Sequence, residues 1–158
     1  MDEINTEALA GLTAAMESLL ADVADPSVQL SLLVAPTHIS PTGLGGFVGI
    51  NEDPRGGILG RRLQAKALVT VSANDVDSLN EAVVAVTGAC VGADRGPLLE
   101  QGILRVTLDI VGPQSTSGSG NNMTVERTLT FNVLYEFLKR PEESEDVILE
   151  VPINLDAT

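Results

Sequence analysis

Apolar and polar residues alternate most regularly between Arg61 and Ser72 (RRLQAKALVTVS). Leu63, Ala65, Ala67, Val69 and Val71 fall on one side of a two-residue period, and Gln64, Lys66, Thr70 and Ser72 on the other. Successive strand side chains point to opposite faces, so this pattern predicts a strand with one buried face. Leu68 breaks it, which predicts partial cover of the second face. Directly downstream, Asn74-Asp75-Val76-Asp77 offers Asn or Asp as a helix N-cap and sets acids at the positive end of the helix dipole. Val76, Leu79, Val83, Val86 and Cys90 then recur at spacings of three and four, the apolar stripe of a helix lying back on the sheet.

The same reading extends to both sides. Residues 3–23 predict a first amphipathic helix, with Ile4, Ala8, Leu9, Leu12, Met16, Leu19, Leu20 and Val23 on one stripe and Pro26 barring its extension. Val28, Leu30, Leu32 and Val34 predict a strand, with Leu33 off pattern. From Ala35 to Gly60 the period fails. Pro36, Pro41 and Pro54 alternate with glycines at 43, 45, 46, 49, 56, 57 and 60, and only Phe47 to Ile50 looks strand-like. Segment 35–60 therefore reads as a flexible arm or hairpin.

After turn signals at Gly92, Gly96 and Pro97, Leu98 to Gln101 predicts a short helical piece. Leu104, Val106, Leu108 and Ile110 then alternate with Arg105, Thr107 and Asp109 as a strand. The tract GPQSTSGSGNN, residues 112–122, reads as an exposed, mobile polar loop. The longest alternation follows, with Val125, Arg127, Leu129, Phe131, Val133, Tyr135 and Phe137 on one face. Strand, loop and strand predict an antiparallel hairpin with an extended tip. Beyond Pro141, segment 141–158 forms a C-terminal extension with an acidic patch and a last short strand at Val147 to Ile153. The expected architecture is a single α/β (α+β) domain over residues 1–158. Its mixed, largely antiparallel sheet is packed by two main helices, with a long Pro/Gly-rich loop and an extended hairpin.

Composition narrows the function classes. A chain of 158 residues suits one core. A net charge of −13 disfavours tracking along a phosphate backbone, although an acidic wall suits a channel through which DNA passes without adhering. Aromatics at 3% and the lack of Trp argue against a base-stacking surface. One cysteine excludes an intrachain disulfide framework and a Cys-based zinc cage. The N-terminus lacks a basic region followed by an apolar run, and no stretch reaches the ~20 apolar residues of a spanning helix. A soluble protein made inside the cell is expected, with no membrane partner.

Candidate chemistry is sparse. His38 lies between two prolines with no acidic or Cys partner near in sequence, so an ordinary loop histidine outweighs a general base or metal ligand. Cys90 sits on an apolar stripe, where a buried thiol is the default. GLGGFVG invites a phosphate-loop reading, but Val48 stands where a dinucleotide fingerprint needs a small residue, and no Gly-Lys-Ser/Thr follows. Acids 142–146 match no cation-loop spacing and read as a solvated turn. No catalytic residue, cofactor or metal is expected. Arg61 and Arg62, with Arg55 and Lys66, form the one basic cluster of an acidic chain; a subunit interface and a solvated start to the strand fit them equally.

Taken with its residues, this order of elements resembles the tail-terminator (tail-completion) proteins of tailed phages and related contractile injection particles. The resemblance is carried by RLQAKALVTVSANDVDSLNEAVVAV and by the hairpin ILRVTLDIVGP…ERTLTFNVLYEF with its aromatic-acid-aromatic ending Tyr135-Glu136-Phe137, together residues 61–138. It implies a non-enzymatic virion protein, assembled in the host bacterial cytoplasm, that forms a hexameric ring on the head-proximal end of the tail tube. Its implied partners are its own copies, the tail tube protein, a neck or connector protein, and the sheath if the tail contracts. DNA only passes through. Two other classes remain open: a different neck or baseplate adaptor, binding through 112–122, and a small enzyme assembling His38, Arg61 and an acid from 142–146.

Overall fold

The computed structural model describes residues 3–23, 25–92, 94–118 and 120–141. They form an α+β fold. Helix α1 (Glu3–Ala21) precedes strand β1 (Val28–Pro41) and the hairpin β2 (Phe47–Glu52) and β3 (Arg55–Ala73). Helices α2 (Val76–Val91) and α3 (Arg95–Glu100) follow, then β4 (Ile103–Val111), β5 (Ser115–Ser117) and β6 (Thr124–Lys139). The strands make one six-stranded sheet in the order β1-β3-β6-β4, with β2 continuing beside β3 and β5 beside β6. Every pairing is antiparallel, so the expected mixed sheet is in fact antiparallel throughout.

The central ladder joins β3 to β6 without a shift from Leu59↔Lys139 to Ala73↔Val125. On its inner face Leu63, Ala67, Val69, Val71, Leu129 and Phe131 are wholly buried. Helices α1 and α2 cover that face through Ala8, Leu12, Met16, Leu79, Val86 and Cys90. Asp75 is the N-cap of α2: its Oδ1 accepts from the Ser78 backbone N–H at 2.7 Å and its Oδ2 from the Ser78 hydroxyl at 3.0 Å. These bonds hold the Asp75 carboxyl below the usual carboxylate range. Val76, expected on the buried stripe, is exposed at the first helical position, and Ala82 lies inside instead.

Three expectations need correction. Segment 35–60 does hold a hairpin, one of its two readings, but strand extends well beyond Phe47 to Ile50: β1 runs on to Pro41, and β3 begins at Arg55. Pro36 and Pro41 are tolerated because β1 is an edge strand, where a missing N–H costs no ladder bond, and a register shift between Pro36 and His38 absorbs the irregularity. The glycines serve close approach. A Cβ on Gly57 would lie 3.1 Å from the Phe47 ring, and one on Gly60 would meet the Thr42 hydroxyl.

The second correction concerns β4. Register shifts between Ile103 and Arg105 and between Leu108 and Ile110 break its period. Ile103 and Val106 are buried, whereas Ile110 faces the outer side opposite Thr130. The third concerns Leu68. No described element covers the outer face; Leu68 lies beside Leu33, which is 62% exposed, in a cross-strand pair, with Ile110 on the same face beyond Thr130. The polar tract 112–122 is also less irregular than expected, because Ser115 to Ser117 pair with Glu126 to Thr124. The last strand placed at 147–153 lies outside the described residues.

Phe131 is the largest fully buried side chain. Phe131→Ala should therefore lower unfolding free energy by about 3–5 kcal/mol, the usual cost of an unfilled aromatic site, read as a fall in the urea midpoint. A loss under about 1 kcal/mol would mean that the ring is not central to the core.

Candidate subunit interface

The four basic residues that stand together in sequence separate on the strand. Arg61 shares the inner face with Leu63; its Nε donates to Asn5 Oδ1 at 3.1 Å and its Nη1 to the Gly60 carbonyl at 2.9 Å. Arg62 and Lys66 point to the outer face. Arg62 Nη2 pairs with Glu136 Oε2 at 2.8 Å, directly across the β3–β6 ladder, and Lys66 Nζ pairs with Asp109 Oδ2 at 3.0 Å. Arg55 opens β3 opposite Glu52 at the hairpin turn, exposed and without an ion pair among the described residues. A two-residue period forces this division, since neighbours on a strand cannot share a face.

The geometry adds two residues that the sequence reading passed over. Lys139 Nζ meets Glu7 Oε1 at 2.7 Å, tying the end of β6 to α1, and Arg140 Nη1 donates to Asn51 Oδ1 at 3.2 Å, tying it to β2. The signal was the pair Lys139-Arg140 before Pro141. Register brings this pair level with Leu59 and hence beside the hairpin. Arg55, Arg61, Arg62, Lys139 and Arg140 thus gather at one end of the sheet. Exposed pairs of this kind contribute only about 0–1 kcal/mol each, so they set surface character rather than hold the fold.

Further polar pairs cross the outer face, beside the apolar Leu33, Leu68 and Ile110. Thr70 and Thr128 hydroxyls lie 3.0 Å apart, and Ser72 donates to Glu126 at 3.3 Å. His38 is exposed in β1 opposite Gln64, on that outer face, while Arg61 is on the inner one. The two members of the supposed enzyme site that can be placed therefore point to opposite sides of the sheet. The acids 142–146 lie outside the described residues. Cys90 has 0% exposure, and burial pushes its thiol up to about 11, which disfavours the nucleophilic thiolate. In GLGGFVG, the Leu44 and Phe47 backbones exchange hydrogen bonds at 2.9 and 3.1 Å, and no helix follows to receive a phosphate. Among the described residues, no group of three His, Cys, Asp or Glu side chains could hold a metal ion. No described helix is long and apolar enough to cross a membrane.

Arg61→Glu and Arg62→Glu, made singly and together, should leave far-UV circular dichroism unchanged while weakening self-association in sedimentation. Because the two side chains leave opposite faces, the single variants should differ in effect. Undiminished association by the double variant would remove both arginines from the interface.

A scan of the chain against protein-family models matches none of them, and a comparison with curated proteins finds no sequence match.

Proposed function

We propose that this chain is a ring-forming structural subunit of a tailed particle, capping the head-proximal end of the tail tube, ending tube growth and joining the tail to the neck. The observation that carries the reading is that the two stretches resembling tail terminators form one unit. β3 of the first stretch is paired along its length with β6 of the second, and α2 packs on both. Its work on this reading is geometric rather than catalytic. The acidic excess favours a conduit, because like charge along a wall disfavours adhesion of DNA in transit. Six copies, the tube protein and a neck protein are the partners proposed, with the sheath where a tail contracts.

Removing the protein from an assembling particle should give tails of uncontrolled length or tails that never join heads, counted by negative-stain microscopy. Tails of normal length, joined to heads in its absence, would contradict the reading and favour an adaptor elsewhere in the neck or baseplate.

A further inference from the structure

Each edge of the sheet carries a bulge, and these two stand level with each other. In β1 the register shifts between Pro36 and His38, leaving Thr37 as the extra residue. In β4 it shifts between Ile103 and Arg105. His38, Gln64, Leu134 and Arg105 form one row across the four strands of the outer face. Regular alternation from the buried Ile103 would send Arg105 to the inner face as well; the extra residue turns it outward. Thr37 is likewise released from the ladder, and its hydroxyl donates to the Gln64 carbonyl at 3.0 Å. Bulges re-aim side chains in this way beside functional sites.

Both re-aimed side chains line the same open depression, about 250 Å³ in volume, together with Gln64, Thr107, Asn132 and Leu134. It reaches across all four strands, about 14 Å at ~4.8 Å between neighbours. Among the described residues the Arg105 guanidinium makes no ion pair, and the Gln64, Thr107 and Asn132 side chains make no hydrogen bond. The other charges around it are matched in pairs, Arg62 with Glu136 on one side and Lys66 with Asp109 on the other. Arg105 therefore gives the depression a single uncompensated positive charge, in a chain whose net charge is −13.

From this arrangement we propose that the outer-face depression binds a small hydroxylated monocarboxylate, of the sugar-acid class. The planar guanidinium of Arg105 takes the carboxylate through two parallel N–H donors. One net positive charge suits a monoanion, whereas a phosphate dianion would meet the Glu136 and Asp109 carboxylates beside it. The carboxamides of Gln64 and Asn132 each offer donors and an acceptor, as the Thr107 hydroxyl does, which matches ligand hydroxyls that also do both. Leu134 supplies an apolar patch for the C–H face of such a ligand. The cations on either side are already paired, so a run of several carboxylates finds no second partner there. The site goes beyond the capping role and does not depend on it.

The test is an NMR titration of the full chain, labelled with heavy nitrogen, using glucuronate, glucose, inorganic phosphate and a tetraglutamate peptide as separate probes. Glucuronate should shift the side-chain amide signals of Gln64 and Asn132 and the Arg105 Nε–H saturably, and at lower concentration than the other three. Arg105→Gln and Asn132→Ala, both at exposed positions, should each weaken its binding, the first by at least about tenfold, with circular dichroism unchanged. Equal affinity for glucose would overturn the carboxylate assignment, and equal or tighter binding of phosphate or tetraglutamate would overturn the ligand class. No saturable shift with glucuronate, or full affinity in Arg105→Gln, would overturn the site itself.

Discussion

Everything in this molecule is referred to the ladder between β3 and β6. It is the one long pairing that runs without a shift, and it aligns the buried set of one strand with that of the other. A slip of one residue would turn Leu63, Val69 and Val71 outward and bring Lys66 and Thr70 into the core. Helices α1 and α2 then have a single apolar plane on which to lie. The edge strands inherit their alignment from it, β1 and β2 from β3, and β4 and β5 from β6. The irregularities are confined to those edges, at Pro36, Phe47, Ile103 and Leu108, where a bulge disturbs no second neighbour and discourages pairing with other chains.

The parts legible from sequence are those where local pattern and tertiary environment agree. β3 from Leu63 onward, the Asp75 cap, α2 and β6 each show a clean period because one face is buried and the other is wet. The hairpin from Phe47 to Leu59 was legible only as one option, and its second strand was not, because its glycines and Pro54 obey neighbours rather than propensity. Gly57 is small for the Phe47 ring, and Pro36 survives at an edge. The face of β4 was misassigned because two bulges change the parity that an alternation count assumes. Leu68 misled differently: an apolar residue in a polar row can signal a cross-strand partner such as Leu33 rather than cover.

The candidate interface was legible in composition but not in arrangement. Sequence placed Arg55, Arg61, Arg62 and Lys66 together, whereas the strand sends Arg61 inward to Asn5 and Arg62 and Lys66 outward to acids on β6 and β4. Lys139 and Arg140 join the first three only through the register of β6 against β3, a non-local fact.

Native-state hydrogen exchange tests the primacy of that ladder most directly. Amides of β3 from Leu63 to Val71 and of β6 from Leu129 to Tyr135 should be the slowest in the protein, exchanging only by global unfolding, while β1, β4 and the β2 hairpin open at lower free energy. Exchange of β1 or β4 as slow as that of β3, or early loss of protection in β6, would show that the fold is held together elsewhere.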